Sequence, residues 1–88
     1  GKFTLAQNFP NPFNPVTKIR FAVPKASSVT LEVFDVTGRL VMTLAKNENV
    51  TAGLKEVEFN AVNLPSGVYF YTLKASDFSE TKKMVLVK

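Results

Sequence analysis

The chain has no cysteine, no histidine and no tryptophan. Without thiolate or imidazole there is no Cys or His metal centre, no disulfide framework, and no Ser or Cys nucleophile activated by a histidine base. Much of hydrolase and redox chemistry is excluded at once. Nowhere do about 18 consecutive apolar residues occur, the length a helix needs to span a bilayer, so no direct membrane insertion is expected. Gly1 to Gln7 lack the basic segment and apolar stretch of a signal peptide. A 3.6-residue apolar period is also missing, while Val and Thr are abundant, so helix content is expected to be near zero.

What remains is a globular composition. The 88 residues are 45% hydrophobic and 20% charged, away from the low-hydrophobicity, high-charge regime of disordered chains. One domain is expected, burying roughly 60–65% of its unfolded surface. Eleven Lys and Arg against seven Asp and Glu give a net charge of +4. Lys82, Lys83 and Lys88 supply three of those cations, and the other eight exceed the acids by one. The others are singles such as Lys18, Arg20, Lys25, Lys46 and Lys55, not a clustered basic face with interleaved aromatics, so no nucleic-acid partner is expected. The abrupt opening on Gly1-Lys2 leads us to expect a piece of a longer protein.

Residues 5–16 form an Asn/Pro-rich lead-in with three of the five prolines, each fixing its own φ and extending the residue before it. Phe9 and Phe13 are expected to anchor this segment, and Asn11 and Asn14 to close Asx-type turns. From Thr17 the pattern alternates: Ile19, Phe21 and Val23, then Val29, Leu31 and Val33, mark half-buried strands. Asp35-Val-Thr-Gly38 reads as a type I hairpin turn leading to Arg39–Leu44. Residues 46–53 read as a polar loop, followed by a strand over 54–59 with Val57 and Phe59 opposite Glu56 and Glu58. Leu64-Pro-Ser-Gly67 reads as a proline-started turn opening the strand 68–75, with Tyr69, Tyr71 and Leu73 on one face. After a turn over 76–80, Thr81 to Lys88 is extended, with Met84 and Leu86 inward. The fold class is therefore all-β: a small antiparallel immunoglobulin-like β-sandwich of about six or seven strands over 17–88, in a single domain over 1–88.

No catalytic constellation emerges. Glu56 and Glu58 lie about 7 Å apart on one strand face, within the range of paired glycosidase carboxylates, but fit ordinary solvated surface with no cleft around them. Asp35, Asp77, Glu80 and Asn47-Glu48-Asn49 offer oxygen ligands without the spacing of a calcium loop. Asn49-Val50-Thr51 matches a glycosylation acceptor too short to carry weight. Ser27, Ser28 and Ser66 have no base and read as turn formers. Tyr69, Phe70 and Tyr71 could stack on sugars only if exposed, and alternating aromatics in a central strand are usually core. No cofactor is expected.

Four segments are recognisable in order: Leu5-Ala-Gln-Asn-Phe-Pro-Asn-Pro-Phe-Asn-Pro-Val-Thr-Lys-Ile-Arg-Phe, Val33-Phe-Asp-Val-Thr-Gly-Arg-Leu-Val, Leu64-Pro-Ser-Gly-Val-Tyr-Phe-Tyr-Thr-Leu and Thr81-Lys-Lys-Met-Val-Leu-Val-Lys. Together they resemble the C-terminal sorting domain of the type IX (Por) secretion system, type A, over Leu5 to Lys88. More distantly they resemble the immunoglobulin-like domain of flagellar hook-capping proteins. The resemblance implies a non-enzymatic label at the end of a covalently fused cargo protein. That cargo passes the periplasm, meets the type IX translocon and a sortase-like surface peptidase, and reaches the cell surface or the medium. It also implies that Pro65, Ser66, Gly67, Tyr69, Lys82, Lys83, Val85, Val87 and Lys88 form the recognition surface or its scaffold.

Of these, Gly67 and Tyr69 are expected to act through folding. The lysines flank the terminal strand; at a sheet edge, that strand could be extended by a receptor strand, with the lysines preventing indiscriminate pairing. Two other functions compete: an accessory carbohydrate-binding module of a secreted enzyme, which requires exposed Tyr69 and Tyr71, and a structural spacer, in which the last lysines are dispensable.

Overall fold

The computed structural model describes all residues, 1–88. Seven strands follow one another without a helix: β1 (Thr4–Leu5), β2 (Val16–Val23), β3 (Ser27–Phe34), β4 (Leu40–Val50), β5 (Gly53–Asn60), β6 (Gly67–Ala75) and β7 (Phe78–Leu86). They form two antiparallel sheets, β1-β2-β5 and β4-β3-β6-β7, packed as an immunoglobulin-like sandwich. The β2–β3, β4–β5 and β5–β6 connections pass from one sheet to the other.

The alternating residues do what their period dictates. Ile19, Phe21, Val23 and Phe59 from one sheet meet Val29, Leu31, Val33, Tyr71, Leu73, Met84 and Leu86 from the other, all buried. The polar alternates face outward, and on the three-stranded sheet they pair across strands. Arg20 lies opposite Glu56 and donates to it at 2.7 Å, with Lys18 reaching the same carboxylate at 3.5 Å. Glu56 is thus a cross-strand surface partner, and the Arg20 bond holds its carboxyl below the usual range.

The expected hairpin turn is present. The Asp35 carboxylate accepts from Thr37 N, Thr37 Oγ1 and Arg39 N, and Gly38 takes a φ of +86°. Those bonds, the Thr37 hydroxyl first, lower the Asp35 pKa.

Four expectations are corrected. Residues 46–50 are not a loop but the second half of β4, whose 11 residues run alongside β3 with register shifts. An edge strand with Lys46, Asn47, Glu48 and Asn49 all exposed has no burial alternation to read in sequence. The turn expected over 76–80 is only Ser76-Asp77, because Ala75 already pairs with Phe78. In the lead-in, Phe13 is buried but Phe9 is 79% exposed, so only one of the two anchors. Asn11 closes no local turn; its Oδ1 accepts the distant Val85 N at 3.0 Å.

The lead-in is built into the sandwich. Ala6 N donates to Arg20 O, Phe9 and Lys18 exchange both backbone bonds, and Phe13 then crosses to β7, donating to Val85 O and accepting from Val87 N. One extended segment therefore lies on β2 of the first sheet and on β7 of the second, parallel to β7 at Phe13–Leu86. Phe13 packs on Phe59 with ring centroids 5.9 Å apart.

Candidate recognition site

Strand directions place the start of β6, the end of β7 and the β3–β4 turn at one pole, and Gly1 to Thr4 with the β6–β7 turn at the other. The pole containing Lys88 collects several of the expected residues. Between β5 and β6 the chain is held by Ala61 N to Pro15 O and Leu64 N to Ala61 O. Tyr69, inward on β6, returns its hydroxyl to Pro65 O at 2.6 Å, the arrangement known as a tyrosine corner. Gly67 opens β6 at a φ of +154°, in the region that favours glycine. Ser66 Oγ accepts Lys88 N at 3.0 Å, and Lys88 Nζ donates to Val62 O at 2.6 Å. The end of the chain is therefore tied to the Pro-Ser-Gly turn. A shallow groove between Asp35-Val36 and Pro65–Tyr69 lies beside it.

β7 is an edge strand, but half its edge is occupied. Val85 N and O, Val87 N and Lys83 O are bonded by Asn11, Phe13 and Gln7 of the lead-in. By the alternation of the ladder, the groups left toward the open edge belong to Ser79 and Thr81. The two adjacent lysines diverge. Lys82 is half-buried on the inter-sheet side and pairs with Glu80 at 3.1 Å, whereas Lys83 is exposed on the outer face opposite Phe70. Val85 and Val87 share that outward phase.

A buried polar network joins the lead-in to both sheets. The Tyr71 hydroxyl accepts Asn8 N at 2.8 Å and donates to Ala6 O at 2.7 Å. Asn8 Nδ2 reaches Pro10 O and Thr17 Oγ1 at 3.1 Å each, and Thr17 Oγ1 donates to Pro10 O at 2.8 Å. No buried side-chain N or O is left unpaired. Burial pushes the Tyr71 hydroxyl up to about 12 and raises Tyr69 as well, with the Asp35 charge adding to it. Asn8 was not among the expected residues. Its signal was Thr17, a polar residue in the same inward phase as Ile19, Phe21 and Val23, which requires a buried partner.

Tyr69 and Tyr71 are 4% and 0% exposed, so they form no sugar-stacking platform. No group of three or more carboxylates is close enough to hold a metal ion.

The fold is thus an immunoglobulin-like sandwich in which Pro65, Ser66, Gly67, Tyr69 and Lys88 meet at one pole, while Lys82 and Lys83 lie farther along the last strand. The chain matches the Secretion system C-terminal sorting domain over residues 7–88 and belongs to that family. It is thus a sorting domain of type IX secretion, a signal for export toward the cell surface or medium. No match is found among curated proteins. Among solved structures, that of CopC from Methylosinus trichosporium OB3b superposes with a TM-score of 0.55 at 20% identity, over 96% of this chain and 90% of that one. At that identity the likeness is one of fold.

Proposed function

We propose that this domain is the C-terminal part of a larger secreted protein and that the type IX translocon reads it as a folded label. A cargo preceding Gly1 would cross the periplasm before delivery to the cell surface or medium, with a surface peptidase acting on the junction. The observation that carries this reading is the family match over 7–88, which takes in the Pro65–Tyr69 turn, the terminal strand and the lead-in that ties them together. The family is one of sorting signals, not catalysts.

Within the expected site, the roles divide. Pro65, Ser66, Gly67, Tyr69 and Lys82 serve as scaffold, because their side chains or backbones are committed to the turn, the tyrosine corner, Lys88 or Glu80. Lys83, Val85 and Val87 are presented on the outside. Deleting Lys82 to Lys88 is a poor test, since it removes Met84 and Leu86, which are 0% and 1% exposed, and would unfold the domain. The decisive experiment fuses the chain to a signal-peptide-bearing fluorescent reporter in a host with a type IX translocon and in its translocon-deleted strain. Translocon-dependent appearance at the surface or in the medium is expected. A folded reporter retained in the periplasm of both strains would refute the reading.

A further inference from the structure

The two outer faces of the sandwich differ. On the three-stranded sheet, the outward register pairs Arg20 with Glu56 and Lys18 with Glu58 are charge-balanced rungs of the kind water covers, with Ala22 and the exposed Leu54 on the rung beyond them. On the four-stranded sheet, the outward rungs Glu32–Thr72–Thr81 and Thr30–Lys74–Ser79 are polar, but the two rungs nearest the Lys88 pole are largely apolar. Leu40 lies opposite Phe34, Phe34 opposite Phe70, and Phe70 opposite Lys83; one rung nearer the pole, Val68 lies opposite Val85. Val36, 68% exposed, lines the groove beside Val68. These side chains lie in register across β4, β3, β6 and β7 on the outward phase, and Phe34, Val68, Phe70 and Val85 are partly exposed there. A contiguous apolar patch of this kind marks an interaction surface.

Charge identifies the occupant. The acid that register places on this face is Glu32, only 13% exposed and facing Lys46 at 3.9 Å. Lys83 and Lys74 stand on the same face without an ion pair. A second copy would bring the same unpaired cations against themselves, which opposes face-to-face pairing.

We infer that the outer face of the four-stranded sheet, centred on Phe34, Phe70 and Val85 and flanked by Lys83, is a docking surface for a protein partner that presents an apolar patch rimmed by carboxylates. The inference deepens the sorting reading and rests on it. Phe34 and Phe70 supply the desolvated centre; Lys83 supplies orientation and encounter rate. Docking here uses the face and leaves the β7 edge in the hands of the lead-in.

The reporter fusion tests it with Phe70→Thr, Lys83→Glu, Lys83→Arg and, on the opposite face, Glu58→Gln. Phe70→Thr and Lys83→Glu are expected to cut translocon-dependent export about five- to tenfold, the scale on which one interface anchor acts. Lys83→Arg, which keeps the charge, is expected to export more than Lys83→Glu, and Glu58→Gln to export as the parent does. The Lys83 ammonium makes no hydrogen bond or ion pair, so Lys83→Glu stands as the test if Phe70→Thr melts early. Parental export by Lys83→Glu, while export still requires the translocon, overturns the docking surface and leaves the sorting reading intact; export that ignores the translocon overturns both. A dimer in sedimentation that Phe70→Thr dissolves, or binding to phosphatidylglycerol vesicles that it abolishes, would assign the face to a second copy or to lipid and overturn the proposal.

Discussion

Replacing Tyr71 with phenylalanine removes one oxygen from the centre of the molecule and keeps the ring in its place. The Asn8 N–H, on a residue 2% exposed, loses its acceptor at 2.8 Å, and the Ala6 carbonyl loses its donor at 2.7 Å. Two net hydrogen bonds at about 1 kcal/mol each, with an added penalty for the orphaned buried N–H, give about 2–4 kcal/mol. The whole domain is worth about 4–13 kcal/mol at the usual stability per residue. The loss should lower the melting temperature by about 10–25 °C in a domain of this size. Alkali supplies a second readout. Burial raises the Tyr71 pKa from 10.0 to about 12, so the folded state keeps a proton that the unfolded state releases. That contribution is complete below pH 10 and is lost as the pH rises from 10 toward 12. The Tyr71→Phe variant has no hydroxyl to titrate at this position, so the stability gap between the two proteins should narrow across that window by about 2–3 kcal/mol. Urea unfolding of both proteins at neutral pH and in alkali measures it. A melting shift below about 3 °C, or a gap that stays constant in alkali, would refute the assignment of Tyr71 as the joint between lead-in and sandwich.

The other predictions concern neighbouring features. Phe13→Ala should cost about 3–4 kcal/mol by emptying a core position, whereas Phe9→Ala at an exposed site should stay within about 0.5 kcal/mol; denaturant midpoints check both. Gly38→Ala forces a side chain to a φ of +86° and should cost about 1–2 kcal/mol, visible as a melting shift with no change in circular dichroism. Asp35→Asn should destabilise the β3–β4 turn at neutral pH and progressively less in acid. The Asp35 pKa is lowered on folding, so its contribution is present above the ordinary carboxylate range and fades as the pH falls through the folded value.

The strands that alternate against a core were legible because period 2 and burial coincide there: Ile19, Phe21, Val23, Val29, Leu31, Val33 and Leu73 are all inward. The second half of β4 was not, since a strand bounded by solvent carries no periodic signature. The lead-in was legible as extended, and Phe13 as its anchor, but its hydrogen bonds were not, since those that tie it to the second sheet run to Val85, Val87 and Tyr71, more than 60 residues away. Proline restricts local angles and says nothing about a distant strand. The candidate site was half legible. Gly67 and Tyr69 follow from turn chemistry, and the divergence of Lys82 and Lys83 follows from the pleat. The apolar ladder, by contrast, exists only after Phe34, Phe70 and Leu40 have been brought into register from three strands.

The strap formed by the lead-in also has a mechanical consequence. It runs from the pole of Gly1 toward the pole of Lys88 alongside β7, and the two are parallel where Phe13 meets Leu86. Tension applied between the two termini draws these segments past each other, so their hydrogen bonds and the Phe13 contact bear the load together rather than opening one by one. Such a shear-loaded clasp resists stretching along the long axis far better than peeling from the side.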